Sequence, residues 1–210
     1  MQCFHMLLAH LWLREWFKVV PASPEAGWPR GVNYGTITLV HAPLANSVCV
    51  HYDDSNMGRD ALVTDNIMVG AAAEHSAPRI LRVINTHLES LPVGTPRRIT
   101  QMGVIARLLK EDARILGGIA CGDMNAIVPS DASLPEQNGL SDACEYHKRD
   151  GEEEEGATYQ PVTRYPPGRL DKILYTESDA FDVRDVRRIA VGLKMPGGGW
   201  VSDHYGLACH

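Results

Sequence analysis

Three short segments carry polar groups that a hydrophobic core does not need, each joined to an apolar run. Ile80-Leu81-Arg82-Val83-Ile84 leads into Asn85-Thr86-His87-Leu88-Glu89-Ser90. Ile119-Ala120-Cys121 leads into Gly122-Asp123-Met124-Asn125, and Ser202-Asp203-His204 precedes Tyr205-Gly206-Leu207-Ala208-Cys209. Strand ends are where a sheet presents reactive groups while its interior stays apolar. Asp123 and Asn125 lie two residues apart, so extended backbone turns both side chains to one face. A carboxylate only accepts, whereas an amide donates and accepts, a pairing suited to holding a metal-activated water beside a phosphate oxygen. By itself this tetrapeptide reads more readily as a turn, since Gly, Asp and Asn all favour turns. His204, after the glycine-rich residues 196–199, can stabilise a developing oxyanion provided a carboxylate fixes its tautomer. Asp171 is a charge in the apolar strand Leu170-Asp171-Lys172-Ile173-Leu174 and needs a partner; a salt bridge with a neighbouring Arg or Lys is the alternative to a catalytic use.

These groups need elements to hold them. Residues 34–40 alternate and are β-branched, predicting a strand, and residues 61–69 and 80–85 form an apolar pair joined by the small, polar residues 70–78, predicting a hairpin with a long loop. Ile99, Met102, Ile105, Ala106, Leu108 and Leu109 recur at helical spacing, predicting a helix over 97–111 that Gly117-Gly118 stops. Residues 140–146 read as a helix, 150–155 as a solvated acidic loop, and 170–175 and 183–189 as strands. At the amino end, Met6, Leu7, His10, Leu11, Leu13, Trp16 and Phe17 predict one amphipathic helix packed on the core by a broad face. It begins at the first residue without a cap and the chain ends inside an apolar run, so both ends are expected to belong to a larger fold. With neither repeats nor a linker, residues 1–210 are expected to be one domain.

Composition narrows the classes. With 20 Lys+Arg against 26 Asp+Glu and 44% apolar residues, the chain is neither polybasic nor disordered. Five of the acids lie in residues 150–155, so the rest of the chain is nearly neutral and an acidic total does not exclude a phosphate-binding face. The apolar start is too short for a membrane span and lacks a basic leader. Five scattered cysteines without a CxxC pair argue against a disulfide framework or structural zinc, so a reducing, intracellular setting is expected. Nine scattered histidines also leave zinc unexpected. There is no HExxH, P-loop or GxSxG.

The order of NTHLES, the helix with Arg97, Arg98 and Gln101, GDMN, Gly139-Leu140-Ser141-Asp142, Gly156-Ala157-Thr158-Tyr159, GRLDKILYT and VSDHYGL resembles the endonuclease/exonuclease/phosphatase superfamily of metal-dependent phosphoesterases. Within it, the likeness is greatest to the tyrosyl-DNA phosphodiesterase 2 group. The resemblance implies an α+β fold, a four-layer α/β/β/α sandwich of two mixed, mostly antiparallel sheets. It implies hydrolysis of 5′-phosphotyrosyl DNA ends in DNA repair, by a nuclear monomer without a membrane partner. Carried over by position, Asp123 and Asn125 orient the water and hold the phosphate, His204 stabilises the transition state, Asp171 orients His204, and His87 contacts the phosphate. Asp203 is linked to metal, Tyr159 to base stacking, and Arg97 and Arg98 to DNA. The implied cofactor is Mg²⁺, with Mn²⁺ as substitute. The family's Asn and Gln-Glu motifs, the latter carrying the principal metal ligand, have no counterpart here and are expected ahead of Met1. Two other readings follow: an inactive binding module, or a phosphoesterase for abasic DNA, an inositol phosphate or sphingomyelin.

Overall fold

A computed structural model describes residues 2–23, 34–68, 79–146, 156–159, 166–179 and 181–210. The helices are α1 (Gln2–Ala9), α2 (Leu11–Trp16), α3 (Thr95–Lys110), α4 (Leu134–Gln137) and α5 (Ala143–Tyr146). The strands are β1 (Lys18–Val20), β2 (Thr38–Val40), β3 (Leu44–His51), β4 (Asp60–Met68), β5 (Arg79–His87), β6 (Ile115–Asp123), β7 (Ser141–Asp142), β8 (Asp171–Tyr175), β9 (Val186–Ile189) and β10 (Gly206–Cys209). The predicted loops at 70–78 and 150–155 lie outside the described residues.

Six strands form one mixed sheet in the order β3-β4-β5-β6-β8-β7, in which only β5 and β6 run parallel. That parallel pair needs a crossover, and α3 supplies it. Pro96 sits at the start of α3, where its missing N–H costs nothing. Arg98, Gln101, Met102, Ile105, Ala106 and Leu109 form its buried face. Ala61, Val63, Ile84, Ala120 and Leu174 of the sheet meet Met102, Ile105 and Leu109 in the main core.

The alternate residues face the other way and are covered by two small antiparallel pairs. Leu62 packs with Val20 and Val40 of β1–β2. Ile119, Cys121 and Ile173 pack with Val186, Leu207 and Cys209 of β9–β10. This yields the layered α/β sandwich of the expected fold, its second β layer present among the described residues as two separate pairs.

Local differences have physical causes. Gly117-Gly118 does not stop α3, which ends at Lys110. Both glycines lie inside β6, where a Cβ on Gly118 would sit 2.5 Å from Leu109 Cδ2 and one on Gly117 2.5 Å from Phe181 Cε1. The predicted 140–146 helix is instead β7 followed by α5, because Ser141 and Asp142 pair with β8. The single amino-terminal helix is broken at His10, which takes an extended conformation. Phe4 and Leu13 are buried there, but Met6, Trp12 and Trp16 are exposed and Leu11 is 80% exposed, so the apolar face is not packed on the core of the described residues. Strand β3 has mostly exposed residues and a weak apolar pattern, and its pairing with β4 places it.

Candidate active site

Strand register, more than local sequence, assembles the reactive groups. His87 ends β5 beside Asp123, which ends β6, and Asp123 pairs with Asp171, which begins β8. Lateral neighbours share a face of a sheet. Here it is the face opposite α3, since Cys121 and Ile173, two residues along from Asp123 and Asp171, pack under β9–β10. His204 arrives from the turn before β10, its backbone bridged to Tyr159.

His204 Nδ1 lies 2.7 Å from Asp171 Oδ2, and its Nε2 lies 4.0 Å from Asp123 Oδ2. His87 Nε2 approaches the same Asp123 oxygen at 3.2 Å. The bond to Asp171 holds the His204 pKa above its usual value, while burial opposes it. Burial, reinforced by the charges of Arg59 and His204, pushes His87 down to about 4. Asp123 is raised by burial and then by the neighbouring Asp171. Two histidines 36 and 24% exposed at the side chain are thus driven apart, His87 toward neutral donor and His204 toward cation.

Asp171 is available to His204 because its basic neighbours are committed elsewhere. Arg169 and Lys172 both bind Asp142 Oδ2, at 2.8 and 2.7 Å. Asp171 N, with Leu170 N, donates to the fully buried Thr158 Oγ1. The salt bridge weighed for Asp171 is therefore not the one formed.

Asn125 corrects the argument from extended backbone. Its φ is +47°, and its N–H donates to Asp123 Oδ1 at 2.9 Å, closing a turn. The buried side chain donates through Nδ2 to Leu88 O at 2.9 Å. Asp123 and Asn125 are neighbours through this turn rather than through a pleat. Gly122 before them has φ +137°, and a Cβ there would lie 1.9 Å from Thr86 O, so only glycine lets β6 close on β5 at this point.

Two of the arginine and tyrosine expectations require correction. Arg98 is 0% exposed: it binds Asp131 Oδ2 at 2.7 Å and the carbonyls of Glu89 and Leu91, which removes it from any substrate. Arg97 is half-buried and paired with Asp54 at 3.1 Å. Tyr159 is only 8% exposed and sets its ring edge-to-face on His204 with centroids 5.1 Å apart, so it shields the imidazole instead of offering a face to a base. Asp203 is exposed.

Arg59 belongs to the site although nothing in its local sequence marks it. It precedes β4, beside a cavity of about 590 Å³ lined by Tyr34, Thr36, Asp60, His87 and Ser90. Its guanidinium donates to Ser90 Oγ at 2.9 Å and lies over the Tyr34 ring at 5.2 Å. Among the described residues Arg59 Nε, like Arg97 Nε and Arg98 Nε, is buried without a hydrogen-bond partner, and the Arg59 guanidinium at the cavity wall is a charged donor suited to an anion's oxygen. Buried Glu89 positions this arginine: it accepts from Ser55 Oγ and Asn56 N, and Ser55 Oγ accepts from Arg59 N. The HLES run thus supports the loop that carries the charge.

Mg²⁺ takes about six oxygens in near-octahedral order. The cluster does not supply them. Asp171 serves His204, Asp123 divides its oxygens between Asn125 N and two imidazoles, and Glu89 is held by Ser55 and Asn56. The described residues do not by themselves make a Mg²⁺ site.

The profile of the Endonuclease/Exonuclease/phosphatase family matches residues 6–204. Among solved structures, TDP2 of D. rerio complexed with single-strand DNA product superposes with a TM-score of 0.70 at 20% identity, covering 98% of this chain and 80% of that one. Truncated TDP2 of Caenorhabditis elegans gives 0.70 at 18% identity, over 94% and 75% of the two chains. The endonuclease/exonuclease/phosphatase from Bacteroides vulgatus gives 0.68 at 16% identity, over 99% and 79%. No curated protein sequence matches the chain. Among the described residues, no helix is long and apolar enough to cross a membrane.

Proposed function

Because the chain belongs to the endonuclease/exonuclease/phosphatase family, we propose that it hydrolyses a phosphodiester at a DNA end, with the 5′-phosphotyrosyl linkage as substrate. The observation that carries this reading is the Asp171–His204 pair aimed at Asp123 beside His87, with the Arg59 guanidinium at the wall of the cavity that His87 lines. Arg59 and the His204 imidazolium bind and neutralise the phosphate oxygens. Neutral His87 donates to a third oxygen. Asp123, its carboxylate raised toward the working range of a base, orients a water and accepts its proton. The water oxygen bonds to phosphorus, the bond from phosphorus to the tyrosyl oxygen breaks, and the His204 imidazolium donates its Nε2 proton to that oxygen, to be replaced by the proton that Asp123 took from the water. A divalent metal, were it held with oxygens beyond the described residues, would add to the neutralisation of the phosphate. The DNA substrate rests on the likeness to the D. rerio protein seen with single-strand DNA.

The test is tyrosine release from a 5′-phosphotyrosyl oligonucleotide by the purified chain, with an abasic duplex as competitor. His204→Ala is expected to lower turnover about 10²–10⁴-fold. A change within about threefold would remove that role. Preference for the abasic duplex would replace the substrate.

A second reading is favoured by the lack of an oxygen set for Mg²⁺ among the described residues: a module that binds phosphodiester ends without cleaving them. It predicts binding of the same oligonucleotide that depends on Arg59, with no product whether Mg²⁺, Mn²⁺ or a chelator is added.

A further inference from the structure

The lateral row that ends at Asp171 continues in the opposite direction. Asp60 begins β4 next to Ala61, the partner of Thr86, and so falls beside His87. His51 of β3 pairs with Asp60. Cys49, two residues back along β3, shares the face of His51 and packs at the edge of the Val20–Val40–Leu62 cluster. One face of the sheet therefore carries His51, Asp60, His87, Asp123 and Asp171 across five strands. Its outer end holds a second group of donors.

Cys49 Sγ, an imidazole nitrogen of His51 and a carboxylate oxygen of Asp60 lie within 4.8 Å of one another. We propose that these three residues form a binding site for Zn²⁺ or a similar borderline-soft divalent ion, adjoining the phosphate-handling cluster through Asp60, which also lines the Arg59 cavity. The donor chemistry decides the class. Thiolate with imidazole and one carboxylate selects zinc-like ions over Mg²⁺, which asks for oxygens alone. Ligand atoms around tetrahedral zinc are roughly 3.5 Å apart, given bonds of about 2.0–2.3 Å. Closing from the present spacing takes about an ångström, and His51, 56% exposed at its side chain, is free to move that far.

The surroundings are those of a cation site. The Asp60 side chain is only 9% exposed, and His51 Nδ1 stands 4.0 Å from it, too far for a hydrogen bond. Thr36 Oγ1 donates to Asp60 Oδ1 at 3.3 Å, the kind of outer contact that orients a ligating carboxylate. The Cys49 thiol and the Asp60 carboxylate already meet in a side-chain hydrogen bond. A divalent ion would displace the thiol's proton and take its place between the sulfur and the carboxylate. Three protein ligands leave a fourth position for water. The site would tie β3 and β4 to the segment carrying Thr36 at the rim of the Arg59 cavity.

The test titrates the metal-free full chain with ZnCl₂ by calorimetry and with CoCl₂ by absorption. One equivalent of zinc is expected, with a thiolate-to-cobalt charge-transfer band. Cys49→Ser, nearly isosteric, should abolish that band, and His51→Gln, at an exposed position, should weaken zinc by more than about 100-fold, beyond the cost of losing an outer partner. His204→Ala should leave zinc binding unchanged, which separates this site from the reading of His204 as catalytic. Zinc should raise the thermal midpoint of the parent chain and not of Cys49→Ser. Absence of stoichiometric binding, or binding that survives both variants and is lost in His204→Ala, would overturn the proposal. Circular dichroism of each variant establishes that it is folded.

Discussion

His204 Nδ1 and Asp171 Oδ2 meet at 2.7 Å across 33 residues of sequence. The contact leaves His204 Nε2 directed toward Asp123 and favours the imidazolium. An imidazole so held is a positioned cation at the mouth of a sheet, and its value to catalysis depends on the carboxylate behind it.

Asp171→Asn should remove that support while keeping the shape. The His204 pKa, followed by proton resonance titration, is expected to fall, because the hydrogen bond and charge of Asp171 are what hold it up. Turnover of the phosphotyrosyl oligonucleotide should fall about 10²–10⁴-fold with little change in KM. An unmoved titration would show that Asp171 does not set the charge of His204.

The two histidines make opposite contributions to stability as pH changes. His87 has a depressed folded pKa, so the unfolded chain binds the extra proton and stability is lost as pH falls from about 6.5 toward 4. His204 has a raised folded pKa, so its contribution is full below its ordinary 6.5 and fades as pH rises through the folded value. Urea midpoints of His87→Asn should be flatter than those of the parent between pH 6.5 and 4. Those of His204→Asn should differ from the parent most below pH 6.5 and converge above the raised value.

Arg98 tests the assignment of a buried arginine to structure. Removing it in Arg98→Met strands the Asp131 carboxylate and the carbonyls of Glu89 and Leu91, at an expected cost of about 3–5 kcal/mol in urea denaturation. Oligonucleotide affinity per folded molecule should stay within about twofold of the parent. Arg59→Met should do the reverse, weakening the oligonucleotide about tenfold or more through the loss of a charged hydrogen bond.

Gly122→Ala places a methyl against the Thr86 carbonyl and forces an L residue to φ +137°. Strain and overpacking together predict a loss of roughly 2–5 kcal/mol. Gly58→Ala has φ +65° but open space, and should cost about 1 kcal/mol. Comparable losses in the two variants would show that β5 and β6 do not need their close approach at Gly122.

Much of this architecture is legible in residue patterns. The hairpin of β4 and β5, the amphipathic face of α3, and the placing of His87, Asp123, Asp171 and His204 beside strand ends all follow from periodicity and from polar groups at the limits of apolar runs. These are local signals, set by which side chains avoid water. Register is not local. Whether His87, Asp123 and Asp171 form one row depends on how far each strand slides past the next, and a shift of one residue would turn a side chain to the opposite face. The same holds for Arg98, whose charge marks a helix surface until Asp131 is folded against it, and for Tyr159, whose ring is covered by His204. Cys49, His51 and Asp60 look unrelated along the chain because β3 has little apolar pattern, and pairing alone brings them together. The sequence by itself determined which residues end the strands and which acids and bases wait there. Only the tertiary structure decided which of them share a face, because strand pairing is chosen by the packing of the whole sheet.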